Sequence, residues 1–150
     1  KNKDDVTGVT FYKSGFTDPH YYNTNKSSIY IASKNKIHTL RIRISYTDEN
    51  WIFFDNAYLS YEGNTAEIKF DDYKEKHTDV LGGGRGVAEW IDVKVLDSTS
   101  LYYLRKFSES SSAKIRLQGK SFSKDRFLTR NEKKGFIEIL NGLEALKNKK

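Results

Sequence analysis

The alternation of apolar and polar side chains in residues 37–70 restricts the fold of this chain more than any other feature. Within it, apolar and polar side chains follow one another in an unbroken series: Leu40, Arg41, Ile42, Arg43, Ile44, Ser45 and Tyr46. A period of two places the apolar set on a buried face of a strand and the polar set in water. Polar turn residues at 47–50 and 62–64 divide the block. The sequence therefore predicts three consecutive strands in an antiparallel meander.

Aromatic residues in the same block are the expected anchors of the core, because burying one large aromatic side chain stabilises a fold by about 1.5–3 kcal/mol. Residues 51–61 are predicted to form the second strand, with a bulge or tight turn near Asp55 and Asn56, where the alternation changes phase. The side chains expected to anchor the core are Trp51, Phe53, Phe54 and Phe70.

The rest of the chain is predicted to extend and cover this sheet. Further strands are expected at residues 6–13, 29–32, 87–96, 113–119 and 120–127, with Phe122 as the packing residue of the last one. Residues 14–28 contain the only proline and are predicted to form a long surface loop. The charged residues 71–78 are expected to turn away from the sheet.

Two helices are predicted after the strand block. A cluster of N-cap residue types at 97–100 precedes a short helix near 100–108. Thr129 and Glu132 have the spacing of a capping box, which predicts an amphipathic C-terminal helix near 130–147. Its apolar stripe comprises Phe136, Ile139, Leu140, Leu143 and Leu146. We expect this stripe to pack on the sheet or close one end of the sandwich, and the alternative is a helix that binds a partner.

These elements predict one domain, residues 1–150, with the fold of an antiparallel β-sandwich that is immunoglobulin-like in the broad sense. A chain of this length buries about 68–70% of its unfolded surface, so its core needs no disulfide or metal. Residues 1–5 are all polar and are expected to form a disordered tail.

The chain contains no Met and no Cys. The missing start residue predicts a processed N-terminus, and with a composition rich in Tyr, Asn, Ser and Thr it favours a mature exported protein whose leader has been removed. The alternative is a domain cut from a cytosolic protein. No apolar run approaches the roughly 18 residues of a membrane span. We therefore expect an extracytoplasmic, cell-surface or membrane-anchored location, with any lipid anchor lying upstream of residue 1.

Catalytic and metal-binding patterns are missing from the sequence. His20, His38 and His77 are separated from one another, and the absence of Cys excludes thiolate sites. No Gly-x-Ser-x-Gly elbow occurs. Adjacent acidic residues at 4–5, 48–49 and 71–72 lack a repeating ligand pattern and are typical of surface turns. The sequence therefore predicts no catalytic residue, no metal site and no cofactor.

Three surface features remain where a ligand could bind. The aromatic cluster His20, Tyr21 and Tyr22 either stacks on a ligand or, as we favour, folds over the edge of the sandwich. The glycine-rich residues 82–86 could cradle an anion through backbone N–H groups, although the strand predicted after them favours a hairpin loop. Five cations would form a basic stripe if their strands are neighbours: Arg41, Arg43, Lys69, Lys94 and Arg116. That stripe lacks the interleaved aromatics of an RNA-binding sheet.

The C-terminal half carries one resemblance, in which a strand with an Arg-x-x-Gly-Lys pattern leads into a capped helix. The residues that carry it are Arg116, Gly119, Lys120, Thr129 and Glu132. This arrangement resembles the end of small uncharacterised exported bacterial domains, several of them lipoproteins, and Trp51 followed by an aromatic hairpin is similar to their upstream part. The resemblance implies an exported domain with a lipidated Cys before residue 1, and it implies no known activity.

The sequence thus favours a non-enzymatic extracytoplasmic binding or structural domain, of the kind found in surface lipoproteins, with a cell-envelope polymer or a surface protein as partner. Because the net charge is +6, the first alternative is a weak polyanion or nucleic-acid binder that uses a basic sheet face. Nucleic acid is disfavoured because the 26 Lys and Arg are scattered among 20 acidic residues. The second alternative is an enzyme of unrecognised type, which a deep pocket with converging ionisable groups would indicate.

Overall fold

The computed structural model describes residues 1–95 and 98–149, and for residues 98 and 99 it describes the backbone only. Within this part of the chain, ten strands form two antiparallel sheets, accompanied by two α-helices. The predicted fold class is confirmed: the protein is mainly β and sandwich-like, with a short helix and a C-terminal helix.

The six strands of sheet 1 are β1 Asn2–Lys3, β2 Thr10–Lys13, β3 Lys26–Lys34, β4 Ile37–Asp48, β7 Lys76–Leu81 and β8 Gly86–Lys94. They lie in the order β1-β2-β3-β4-β8-β7. The four strands of sheet 2 are β5 Asn56–Tyr61, β6 Asn64–Ile68, β9 Lys114–Gln118 and β10 Ser123–Phe127, in the order β10-β9-β5-β6. The helices are α1 Ser98–Glu109 and α2 Arg130–Lys147.

Strand β4 lies in the middle of sheet 1 and confirms the alternation read from the sequence. Its four inward residues are all buried: Leu40, Ile42, Ile44 and Tyr46. The neighbouring strands place apolar residues directly opposite them, namely Ile29 and Ile31 of β3 and Ile91 and Val93 of β8. Paired residues of antiparallel strands share one face of a sheet, so a continuous apolar surface forms. This surface, sheet 2 and both helices enclose one core.

The predicted meander across residues 37–70 is wrong. Strand β4 belongs to sheet 1, whereas β5 and β6 form a hairpin in sheet 2. Residues 49–55, here called the crossover, connect the two sheets. The backbone N–H groups of Ile52, Phe53 and Phe54 donate to the Glu89 carboxylate at 2.9, 3.1 and 3.0 Å. Because a buried side chain accepts these hydrogen bonds, this segment needs no neighbouring strand.

The crossover also changes which aromatic residues anchor the core. Phe54 is fully buried, and Phe70 packs on it with 5.9 Å between ring centroids. Phe53, in contrast, is 61% exposed, and Trp51 is half-buried and stacks on it. The anchor prediction is therefore right for Phe54 and wrong for Phe53 and Trp51, because only one side of this segment faces the core.

Several strand boundaries differ from the predictions. The pattern predicts neither β1 nor β7, since both are edge strands whose side chains are mostly exposed. The prediction that residues 71–78 turn away from the sheet is therefore wrong for residues 76–78, which pair with β8. Strand β3 is longer than residues 29–32, and β2 is shorter than residues 6–13. Phe122 is 65% exposed and is not a packing residue. It lies in the turn before β10, where its carbonyl accepts the N–H of Gly119 at 2.8 Å.

Both helices form where the sequence predicts them, although Asp97 of the predicted N-cap cluster lies outside the described residues. At the start of α2, the N–H of Glu132 donates to Thr129 Oγ1 at 3.2 Å, and the N–H of Thr129 donates to Glu132 Oε1 at 3.1 Å. The capping box is thereby confirmed. The stripe residues Phe136, Ile139, Leu140 and Leu143 are buried, and α2 packs on β3 and on α1. The stripe thus closes the core, as the sequence favours.

Candidate functional site

A loop covers the face of sheet 1 that points away from the core. This cover loop, residues 14–25, carries His20, which bridges β3 and β4. Its Nδ1 lies 2.6 Å from Ser28 Oγ, and its Nε2 lies 2.7 Å from Ser45 Oγ. Ser45, which the alternation places on a wet face, is consequently only 1% exposed. The period-two pattern gives the direction of this side chain but does not reveal the loop above it.

Tyr22 fastens the same loop to β8 and β7. Its ring lies 4.4 Å from that of Trp90, and its hydroxyl donates to Asp79 Oδ2 at 2.8 Å. His77, which lies opposite Trp90 on β7, stacks on the same ring at 5.5 Å between centroids. The aromatic cluster therefore folds onto the sheet and not over its edge, except for Tyr21, which is exposed.

A cavity of about 260 Å³ lies between the cover loop and sheet 1. Strands β2, β3, β4 and β8 and the loop itself contribute its walls. The polar and aromatic side chains that define its chemistry are Phe11, Lys13, His20, Tyr30, Arg43 and Asp92. Asp18 also lines the cavity and is exposed to solvent.

Arg43 is incompletely bonded in this cavity. Its Nη1 donates to the carbonyl of His20 at 3.0 Å, whereas its Nε is buried and has no hydrogen-bond partner among the described residues. Asp92 lies opposite Arg43 on β8. However, the Asp92 carboxylate already accepts hydrogen bonds from Arg41 Nε at 2.9 Å and from the Tyr30 hydroxyl at 2.8 and 2.9 Å. The positive charge of Arg43 is therefore not neutralised by the carboxylate across the strand pair.

The hydroxyl of Tyr30 remains a hydrogen-bond donor at neutral pH. Burial, followed by the negative charge of Asp92, raises the pKa of Tyr30 to about 12. Lys13 approaches the same ring, with its Nζ 5.9 Å from the centroids of both Phe11 and Tyr30. Within the described part of the chain Lys13 forms no salt bridge. The cavity thus combines two cations that lack a carboxylate partner with an aromatic wall.

The hydrogen bonds of His20 fix its tautomer. Ser45 Oγ donates its proton to the carbonyl of Thr24 at 2.7 Å, so it accepts from His20 Nε2, and Nδ1 is left to accept from Ser28. Burial, followed by the charge of Arg43, lowers the pKa of His20 to about 3. The imidazole is therefore neutral at neutral pH and acts as a clamp between the loop and the sheet.

The predicted basic stripe is wrong as a single surface. Arg41 and Lys94 are direct neighbours in sheet 1, but Arg116 lies in sheet 2 and pairs with Asp125 at 2.7 Å. Lys69 follows the end of β6, also in sheet 2. The stripe is divided because the crossover places β5 and β6 in a different sheet from β4, and Arg116 lies on β9, which pairs with β5.

The glycine-rich residues 82–86 form the turn between β7 and β8, which agrees with the hairpin that we favour. Arg85 Nε donates to the carbonyl of Gly82 at 2.8 Å, so that side chain is engaged within the turn. Gly86 has a φ of 99°, and a Cβ on it would lie 2.3 Å from the carbonyl oxygen of Asp48. This close approach explains the glycine by packing without invoking a bound anion.

No three His, Asp or Glu side chains of the described residues converge as a metal site. His38 instead bonds through Nδ1 to Ser33 Oγ at 2.7 Å. Among the helices described, none has the length and apolar character needed to cross a membrane.

Sequence reasoning missed the residues that receive the cover loop and the acid that holds the crossover. Tyr22 and Asp79 are separated by 57 positions, and no local pattern connects them. Glu89 is different, because it precedes the inward residues Ile91 and Val93 at a spacing of two. That spacing places Glu89 on the inner face of β8 and is the pattern that identifies a buried carboxylate.

Comparisons with protein-family models, with curated proteins and with solved structures give no significant match to this chain. The function of the cavity therefore has to be inferred from the side chains that line it.

Proposed function

We propose that this chain is a non-enzymatic binding domain of an exported bacterial protein and that the cavity beneath the cover loop binds a small organic anion. The observation that carries the proposal is the buried Nε of Arg43, which has no partner among the described residues. A buried donor without an acceptor costs about 1–3 kcal/mol. Because Arg43 lines the cavity, an anion bound there would neutralise the guanidinium. A small shift of the cover loop would let one of its oxygens reach the buried Nε and remove this cost.

The form of the cavity indicates what kind of anion fits. A guanidinium presents planar N–H groups that suit carboxylate or phosphate oxygens, and the ammonium of Lys13 adds a second positive charge. The rings of Phe11 and Tyr30, 6.2 Å apart, offer an apolar wall for the body of the ligand. Small-molecule sites usually measure about 300–1,000 Å³, so a volume of about 260 Å³ favours a ligand with one ring and one anionic group.

The environment of His20 supports the non-enzymatic part of the proposal. Ser28 Oγ lies 2.6 Å from Nδ1, a separation that would suit a nucleophile and its general base. A base with a pKa of about 3 has little tendency to accept a proton at neutral pH. The other ring nitrogen, His20 Nε2, bonds to Ser45 Oγ, whereas in a catalytic triad a carboxylate accepts from this second nitrogen and stabilises the charged ring.

An extracytoplasmic location, with a cell-envelope or surface partner, is the second half of the proposal. Its support is the resemblance of the C-terminal half to exported bacterial domains and the absence of Cys from the chain. The coding sequence upstream of residue 1 tests it. We expect a secretion signal that ends at a lipidated Cys, and an upstream region without any secretion signal would contradict the proposed location.

Titration with benzoate, phenyl phosphate and inorganic phosphate tests the cavity. The Nε–H group of an arginine gives its own cross-peak in the NMR spectrum of isotope-labelled protein, and Arg43→Gln identifies the relevant cross-peak by its loss. We expect at least one of the two aromatic anions to shift this cross-peak saturably, because the buried N–H gains an acceptor. Isothermal titration calorimetry compares the variants, because Arg43→Gln no longer has this cross-peak. Arg43→Gln should weaken the binding by about tenfold or more, since a hydrogen bond to a charged group contributes about 1.5–3 kcal/mol.

Arg116→Gln is the matched control, because Arg116 lies in sheet 2 and is already paired with Asp125. It should leave anion binding unchanged. Lys13→Gln provides a second variant that does not disturb the contact between Arg43 and the cover loop, and it should weaken binding less than Arg43→Gln. The proposal is wrong if none of the three anions moves the Arg43 cross-peak at about 10 mM, well above the range of weak specific binding.

A further inference from the structure

A second cavity, of about 420 Å³, lies between the crossover and the turn that joins β9 to β10. The lining residues that matter here are Trp51, Phe53, Asp55, Asp72, Lys120 and Phe122. Phe53 is 61% exposed and Phe122 is 65% exposed. Large apolar side chains that line one open cavity in this way are typical of interaction sites.

The backbone beneath Phe53 is held in a fixed and unfavourable conformation. Its φ is 47°, in the left-handed region that bulky residues rarely adopt. The Glu89 carboxylate, 0% exposed, accepts its N–H and those of both neighbours. A strained residue persists where its surroundings hold it, and such residues concentrate at functional sites. The buried Glu89 carboxylate therefore holds the backbone in the conformation that leaves the Phe53 ring exposed to solvent.

The opposite wall of this cavity is pressed against the same crossover. A Cβ on Gly119 would lie 2.0 Å from the carbonyl oxygen of Ile52, so this position accepts only glycine without a shift of the backbone. The N–H of Gly119 then closes the turn by donating to the carbonyl of Phe122. This close approach brings Phe122 to the cavity lined by the stacked rings of Trp51 and Phe53, whose centroids are 5.1 Å apart and whose planes differ by 12°.

Polar groups of both kinds accompany the aromatic rings. The carboxylates of Asp55 and Asp72 and the ammonium of Lys120 all line the cavity. Within the described residues, none of the three forms a salt bridge. Two acceptor groups and one donor group are thus available beside an apolar surface.

We propose that this second cavity binds a carbohydrate chain, with a sugar ring stacked on the aromatic side chains. A sugar ring has an apolar face of C–H groups and a rim of hydroxyls. Aromatic rings match the face, carboxylates accept from the hydroxyls, and an ammonium donates to them.

The tryptophan content of the chain provides a direct test. Trp51 and Trp90 are the two tryptophans, so in a Trp90→Phe background all tryptophan emission comes from the second cavity. The probes are cellohexaose, maltohexaose and chitohexaose. We expect at least one of them to change the emission of Trp51 saturably, and Phe53→Ala and Phe122→Ala to weaken that binding by about tenfold, as the loss of a stacked ring predicts.

Tyr102→Ala is the matched control, because Tyr102 is 65% exposed on α1 and does not line the cavity. It should bind the same oligosaccharide with unchanged affinity, and unfolding curves establish that each variant is folded. The proposal is overturned if none of the probes changes Trp51 emission at about 10 mM, or if Phe122→Ala binds as well as Tyr102→Ala. A concentration-dependent dimer that Phe122→Ala abolishes would also overturn it and assign the surface to a second copy of the chain. Since anion binding is followed at Arg43, either site can fail without affecting the test of the other.

Discussion

Replacing Glu89 by Gln is expected to remove a large part of the stability of this protein. Oε2 of the buried carboxylate accepts the N–H groups of Ile52 and Phe53, and Oε1 accepts that of Phe54 and contacts the Lys76 ammonium at 2.9 Å. A carboxamide has one acceptor oxygen and one NH2 group. One of the two donor pairs must therefore face another donor, whichever way the amide is turned.

The magnitude follows from the less costly of the two orientations. If the NH2 group faces Ile52 and Phe53, two backbone N–H groups lose their acceptor, at about 1–3 kcal/mol each. If it faces Phe54 and Lys76, one backbone N–H loses its acceptor, at about 1–3 kcal/mol. In either orientation the buried Lys76 ammonium loses the charge of its counter-ion, and breaking a buried ion pair costs about 3–5 kcal/mol. We therefore expect a loss of at least about 4 kcal/mol, against a total stability of about 5–15 kcal/mol for an ordinary domain.

Urea unfolding followed by circular dichroism measures this loss. With a slope of about 2 kcal/mol per molar urea, a loss of about 4 kcal/mol lowers the midpoint by about 2 M. Glu67→Gln is the matched control, because Glu67 is exposed and accepts a single hydrogen bond from Asn56. It should change the free energy of unfolding by less than about 0.5 kcal/mol. The reasoning is refuted if Glu89→Gln is as stable as this control.

Three further perturbations test other parts of the structure. Burial, followed by the charge of Arg43, lowers the pKa of His20 to about 3, so the unfolded chain takes up a proton on this imidazole at a higher pH than the folded protein does. The melting temperature should therefore fall as the pH drops from about 6.5 towards 3, and it should fall less steeply in His20→Gln. Burial raises the pKa of Glu132, but the hydrogen bond and charge of Arg126 outweigh it and hold the pKa below its usual value. The ionised carboxylate therefore stabilises the fold at neutral pH, and this contribution to the free energy of unfolding is lost below about pH 4.3. The loss of stability at low pH should be smaller in Glu132→Gln, and an equal loss in that variant would contradict the assignment. Phe136→Ala empties a fully buried site in α2 and should lower the free energy of unfolding by about 3–5 kcal/mol in urea, whereas an unchanged midpoint would show that the helix is not part of the core.

The parts of the fold that could be predicted are those encoded locally. The alternation of β4 and the capping box at Thr129 each lie within a few residues, and both are confirmed. The crossover could not be predicted from the same pattern, because residues 51–54 are an unbroken apolar run, which is also typical of a buried strand. Their N–H groups find a side chain of β8 about 35 positions away, and this long-range hydrogen bonding decides which sheet follows.

The candidate site could not be predicted from the sequence either, because it also depends on contacts between distant residues. Arg43 and Ser45 have the spacing of solvent-facing residues, and the pattern places them correctly on the outer side of β4. What changes their environment is the cover loop, held there by His20 and Tyr22. Such contacts depend on which strands are neighbours, and period-two patterning does not encode strand order.

Buried charges elsewhere in this fold carry their own counter-ions. Glu89 contacts Lys76 at 2.9 Å, and Glu132 accepts from Arg126 at 2.7 Å. Each acid also satisfies backbone N–H groups at an irregular point of the chain, so charge and hydrogen bonding are balanced together. Arg43 breaks this rule: its Nε is buried without a partner among the described residues, and the carboxylate opposite it is bonded to Arg41 and Tyr30. A bound anion would give Arg43 the counter-ion and hydrogen-bond acceptor that it lacks, as Lys76 and Arg126 provide counter-ions for the two buried acids. For this reason we propose the cavity at Arg43 as the ligand site.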